Sequence, residues 1–253
     1  MSKKIALCAG CGQIRSKMTK EHFWPRWLIE KTKTDNTGVR SITGKKIPPS
    51  AMTFPLCKKC NDDFGKYLES PVAKIFDDIE NNKGISDFEA ELLVRWLWKF
   101  EGLHWTFFNP VDSYTPKSTL RERVLLPIDG IRPSLVLAMS LIENIDPYYG
   151  DAPLGIDSYN QVNGIFVAGV FYKIAMMVLY EDFIHLIPPH FSQYCLADSL
   201  SIISHQKIFF PKTGFKDDTD AVFVSLIAAQ RLSKEHDMWF ISLKQQLDNE
   251  NQK

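Results

Sequence analysis

At 253 residues, 45% hydrophobic and 24% charged, the chain has room for one large globular domain or two small ones and the composition of a soluble protein. Its 30 Lys/Arg balance its 30 Asp/Glu, yet residues 1–70 hold 14 basic against 6 acidic side chains and the remainder carries the opposite excess. The apolar start Ile5-Ala6-Leu7 is too short for a signal peptide, and the run Ile165–Tyr180 falls short of the roughly 20 residues that span a bilayer, so a cytoplasmic protein without a membrane partner is expected.

In chain order, Cys8-Ala-Gly-Cys11-Gly12 reads as a metal knuckle whose glycines permit the tight backbone that turns amides toward sulfur. His22 to Pro25 reads as extended, and Pro25 suits the start of a short helix running to Ile29. Residues 32–50, with Pro48-Pro49, read as a polar loop or loose hairpin. Met52–Leu56 leads into Cys57-x-x-Cys60. A helix is expected from Asn61 to Ile79 with Phe64, Leu68, Val72 and Ile75 on one face and a kink or break at Pro71. Ser86-x-x-Glu89 is a capping box ahead of a strong helix from Asp87 to Phe108, with Phe88, Leu92, Trp96, Phe100, Leu103 and Phe107 as its core stripe. Segments 122–143 and 162–187 suit buried strands, although periodicity leaves a buried helix open for the second. Gln206–Phe210 reads as a short strand and Asp220–Lys234 as a helix, followed by a frayed polar tail. The expected class is α+β, with boundaries at residues 1–80 and 85–253.

The chemistry concentrates near the N-terminus. Two Cys-x-x-Cys pairs, Cys8/Cys11 and Cys57/Cys60, can supply four thiolates to one structural Zn2+ ion, and in a reducing compartment such pairs favour metal over disulfide. They enclose Glu21-His22, and Asn61 follows the last cysteine. A neutral imidazole is suited to take a proton from water. A carboxylate and an amide oxygen are hard ligands for Mg2+ or Mn2+. Lys17, Lys20, Arg26, Lys58, Lys59 and Lys66 flank these residues and form the expected electrostatic footprint for nucleic acid. Each position also has a plainer reading: His22 as a loop histidine against Trp24, Glu21 as a surface carboxylate, Asn61 as a helix N-cap.

Cys-x-x-Cys-Gly, then Glu-His-x-x-Pro, then Leu-Cys-x-x-Cys-Asn with Phe-Gly beyond, over residues 5–72, resembles the HNH endonucleases, in particular the zinc-stapled bacterial members with a ββα-metal (His-Me) finger. The resemblance implies a small zinc-bound HNH finger followed by a larger α+β domain. It implies His22 as general base, Glu21 and Asn61 as ligands of a catalytic Mg2+ or Mn2+, and the four cysteines as the zinc site. The sequence departs from the pattern in having Glu21 where Asp is more usual and Gly65 where some members carry a second histidine. The implied activity is metal-dependent hydrolysis of phosphodiesters, with DNA the first expected substrate and RNA the second. Resemblance extends to effectors of restriction or anti-phage defence that act beside an ATPase or sensor protein, and a homo-oligomer through the C-terminal domain fits the same picture. The alternative is a non-catalytic zinc-finger adaptor that binds nucleic acid or protein.

Overall fold

The computed structural model describes residues 6–35, 39–40, 46–108, 119–128, 130–145, 154–158, 166–196 and 208–250. It is an α+β protein. A two-residue hairpin of β1 (Ala6–Leu7) and β2 (Ile14–Arg15) carries the first cysteine knuckle. β3 (Met18–His22) leads through Pro25 into α1 (Arg26–Thr32). The short pair β4 (Val39–Arg40) and β5 (Lys46–Ile47) realises the loose hairpin. β6 (Thr53–Cys57) returns antiparallel to β3, setting Met18 opposite Cys57 and His22 opposite Thr53. α2 (Lys58–Phe64) starts directly from Cys57.

α2 therefore begins three residues before the expected Asn61, because Cys57 occupies the cap position and Asn61 lies inside the helix. The chain then widens into one π-helical turn over Gly65–Glu69 before α3 (Ser70–Glu80). Pro71 explains the widening: it has no N–H to give to the carbonyl of Tyr67, and the amide of Ser70 reaches back five residues to Gly65. The expected break is thus a bulge in a continuous helix.

α4 (Asp87–Phe108) starts as expected. The amide and hydroxyl of Ser86 both donate to Glu89, at 2.7 Å each, and the amide of Glu89 donates to the Ser86 hydroxyl at 3.3 Å. Leu92, Trp96, Phe100 and Leu103 are buried, but Phe88 is exposed and does not belong to the stripe. The first part of the expected 122–143 strand is instead a short helix, α5 (Leu120–Leu125), closed by a capping box of Thr119 and Glu122. This local signal outweighs the apolar character of Val124 and Leu125.

The sheet runs β11–β7–β10–β9–β8 and is antiparallel along that path. Its strands are β7 (Leu135–Asn144), β8 (Leu154–Ser158), β9 (Val167–Phe171), β10 (Ile174–Tyr180) and β11 (Ser192–Cys195). β12 (Thr213–Asp217) runs parallel beside the far end of β7. Side chains alternate between two buried faces. Leu135, Leu137, Met139, Phe171, Met176 and Val178 join α4 and the N-terminal elements, while Val136, Ala138, Val170, Ala175, Met177 and Leu179 face α6 (Asp218–Glu250). A strand buried on both faces has no polar alternation, which is why periodicity left segment 162–187 open. Of the expected strand Gln206–Phe210, Gln206 and Lys207 lie outside the described residues, and Phe209 makes a single bridge to Ile85. α6 continues to Glu250, through the stretch expected to fray.

One apolar cluster extends from Cys8, Phe23 and Leu28 through Phe64 and Phe76 to Trp96, Phe100 and Phe171. The N-terminal elements therefore sit on α4, and α4 sits on the sheet.

Candidate functional site: a four-cysteine centre beside a carboxylate cleft

The β1–β2 knuckle and the β6–α2 junction face each other. The amide of Ala9 donates to Pro55 at 2.9 Å, and that of Cys8 to Gln13 at 3.0 Å. Gly10 lets the two knuckles approach closely, since a Cβ there would meet Cys60 Cβ and Sγ at 3.1 Å, and Gly12 turns with φ +65°. The Sγ atoms of Cys8, Cys11, Cys57 and Cys60 all lie within 4.8 Å of one another, and Cys11 and Cys57 are 4.0 Å apart. Thiolates at about 2.3 Å from a tetrahedral zinc stand close to that spacing. The four cysteines can hold a metal ion such as zinc.

Backbone amides already favour charge here. Burial pushes the Cys8 thiol up, but the amides of Cys57, Cys11 and Gly10 outweigh it and bring it down to about 7. The Cys57 amide reaches Cys8 Sγ at 3.2 Å. Burial raises the Cys60 thiol, reinforced by its sulfur neighbours and opposed by the Arg121 guanidinium at 3.9 Å. Arg121 comes from α5, pairs with Asp63, and its amide donates to Gly10 at 2.8 Å. The C-terminal region thus braces the cysteine centre directly.

Glu21 and His22, at the end of β3, line an open cleft of about 460 Å³ together with Pro25, Arg26, Trp27, Gly65, Glu69, Ser70 and Ala73. Gly65 leaves the floor bare, since a Cβ there would meet nothing within 4 Å. Lys99, fully buried on α4, reaches up from below. Its ammonium donates to Oε1 of Glu21 and, at 2.5 Å, to Oε1 of Glu69. Burial alone would lower the Lys99 ammonium, but the two carboxylates outweigh it and raise it. Glu69 Oε2 accepts from the indoles of Trp27 at 3.2 Å and Trp96 at 3.1 Å.

No protein-family model, curated protein or solved structure matches this chain. The site therefore rests on its own geometry.

The structure brings Glu21 and His22 to one cleft. Asn61 stands on α2 one turn before Gly65 and is not among the cleft's lining residues. Of the six expected phosphate-binding cations only Arg26 lines the cleft, and it is paired with Glu30 at 2.7 Å. Lys17, Lys20 and Lys59 are exposed. Lys58 pairs with Asp62 at 2.6 Å, and the Lys66 ammonium lies 4.8 Å from the Tyr67 ring centre. Trp24 is core, packed edge-on against Phe23. Trp27 is spent largely on Trp96, Phe76 and Glu69.

Sequence reasoning missed Glu69 and Lys99. Both left a signal. Glu69 is one turn beyond Gly65, on the helix that follows the second cysteine pair. Lys99 is the one charged residue within the buried run Trp96–Phe100, where only a paired charge is tolerated.

Proposed function

We propose that the chain is a metal-dependent endonuclease of the HNH kind, hydrolysing phosphodiesters in DNA. The observation that carries this reading is the joint placement of Glu21 and His22 at the end of β3, in one open cleft beside a four-cysteine centre that pins the opposite strand and the following helix.

His22 would take the proton from the attacking water. Glu21 and Asn61 would hold a divalent ion, Mg2+ or Mn2+. These residues fit in chemistry, since both offer hard oxygens. Gly65 leaves room in the cleft for water and phosphate beside Glu21, while Asn61 is not among the residues that line it. When bound, the ion supplies a positive charge against the developing charge on phosphate and leaving oxygen. Lys99 fixes Glu21 by one oxygen, so the carboxylate's orientation is set before substrate arrives. Exposed Lys17, Lys20 and Lys59 would bind the phosphate backbone without reading sequence. A role in restriction or anti-phage defence, beside a separate ATPase or sensor, is the biological setting we propose.

A second reading is a zinc-bound adaptor that binds nucleic acid or protein without cutting. It is favoured by one observation: the carboxylates Glu21 and Glu69 already share the buried ammonium of Lys99. Plasmid cleavage by wild type and His22→Ala, in Mg2+, Mn2+ and EDTA and at equal zinc content, separates the two. Metal-dependent cutting by wild type alone supports the nuclease. Absence of cutting by the zinc-loaded wild type in either metal supports the adaptor.

A further inference from the structure

Lys99 has none of its side chain exposed, and the Phe64 ring centre lies 5.9 Å from its ammonium. It therefore touches nothing that enters the cleft and acts there only through its partners. Those partners stand equally near solvent, Glu21 with 13% of its side chain exposed and Glu69 with 11%, but they are held differently. Oε1 of Glu69 accepts from Lys99 at 2.5 Å, and its Oε2 accepts from the indoles of Trp27 and Trp96. Three donors fix Glu69 and leave it no freedom to turn toward a ligand. Oε1 of Glu21 accepts from the same ammonium, and no described residue donates to its Oε2. One cation shared by two carboxylates leaves one net negative charge. Arg26, the other lining side chain with a permanent charge, is paired with Glu30 and adds nothing to that balance.

We propose that Lys99 and Glu69 are positioning residues that set the divalent-ion affinity of this cleft, Lys99 weakening it and Glu69 strengthening it, both through the free oxygen of Glu21. The proposal rests on Glu21 being an ion ligand, as in the nuclease reading. Two cations compete for one carboxylate. An ammonium on Oε1 weakens the negative potential at Oε2 and repels a second cation, in a water-poor site where charges act strongly on one another. Glu69 offsets this by engaging the ammonium from its other side, and the two indoles keep it there. Without Glu69, Lys99 would pair with Glu21 alone and the net charge would be zero. Without Lys99, the two carboxylates would both be available and the cleft would bind cations tightly. As built, the triad offers a divalent ion one negative charge, and a phosphodiester in the cleft offers the second. The cleft thus holds an ion weakly alone and more tightly with substrate phosphate beside it. A hard cation that keeps several waters suits such a one-carboxylate site.

Mn2+ binding to the zinc-loaded full chain, without nucleic acid and with Glu21→Gln as the blank, tests this; the loss of the free-ion signal in electron paramagnetic resonance reads it. Each unit of net charge is expected to shift affinity by roughly tenfold or more. The expected order is Lys99→Met tightest, wild type and Lys99→Met/Glu69→Gln alike, and Glu69→Gln weakest, at equal zinc content and near-ultraviolet circular dichroism. In the double variant a second loss restores what Glu69→Gln removes, whereas merely structural roles would make it the worst of the four. Either single variant, taken with the double, fixes the sign, so the misfolding of one leaves the test standing. If wild type and Glu21→Gln bind Mn2+ alike, Glu21 is no ligand, and the nuclease reading falls together with the proposal. If wild type binds through Glu21 but a single variant binds as wild type does, or the double variant stays with its weaker parent, the proposal alone is overturned.

Discussion

The ammonium of Lys99, midway along α4, donates to the carboxylate of Glu21, 78 residues earlier at the end of β3. The same ammonium holds Glu69, so one buried cation joins a strand and a helix of the N-terminal unit to the helix that carries the sheet. Removing it leaves two carboxylates facing each other in a water-poor site, and breaking a buried pair from one side is far costlier than the pair's own net contribution. Lys99→Met is expected to destabilise the protein by about 3–5 kcal/mol, measured by urea denaturation. Glu21→Gln, which keeps an oxygen acceptor and leaves Glu69 in place, should cost markedly less. Equal losses in the two variants would show that the triad does not act through charge.

Glu101, on the same helix, gives stability an unusual pH slope. Burial pushes its carboxyl up, against the opposing pull of Arg123 at 2.6 Å, to about 7 from an ordinary 4.5. Between these values the folded chain keeps a proton that the unfolded chain has released. The contribution is therefore complete below about 4.5 and declines as pH rises to about 7, by up to about 3 kcal/mol. Glu101→Gln should match wild type near pH 4.5 and exceed it at pH 8. Denaturation curves for both proteins across that interval check the sign, and a wild type whose deficit against Glu101→Gln does not grow with pH would refute it.

The cysteine centre should behave as a structural metal site. Binding requires thiolates, and burial raises the Cys60 thiol while amides lower that of Cys8. Zinc binding should accordingly release protons at neutral pH, and affinity should fall as pH falls. Calorimetry in buffers of different ionisation enthalpy counts the protons. Chelation, or Cys57→Ser, should loosen β1, β2, β3, β6 and α2 before the sheet. In hydrogen exchange, β7 and β10, paired over seven residue pairs, should keep their protection longest.

How far the sequence could be read follows from range. Local signals were legible: the capping box at Ser86–Glu89, the two cysteine knuckles, and the helix carrying Trp96 and Phe100. Each is written within a few residues. The cleft was only half legible. Glu21 and His22 stand out beside the cysteines, but Lys99 and Glu69 become site residues only once α4 docks beneath β3, over separations of 78 and 30 positions. Phe88 failed because amphipathic spacing at a helix's first turn does not decide burial. The doubly buried sheet offers no period to read. The parallel pairing of β12 with β7 has no short-range signature at all.

Gly65 offers a separation of stability from activity. Its backbone is ordinary right-handed helix, φ −57° and ψ −49°, and a Cβ there meets nothing within 4 Å. Nothing in the fold requires glycine at this position. Gly65→Ala should therefore raise stability by about 0.5–1 kcal/mol, through lower backbone entropy in the unfolded chain. What the missing Cβ provides is space in the cleft that His22 and Glu69 also line. If that space receives the phosphate backbone and the water around a divalent ion, Gly65→Ala and more strongly Gly65→Leu should slow cleavage while the protein becomes no less stable. Thermal melts and plasmid nicking on the same preparations decide this. A Gly65→Leu protein that is stable and cuts at the wild-type rate would remove the cleft floor from the reaction and move the substrate to the outer side of His22.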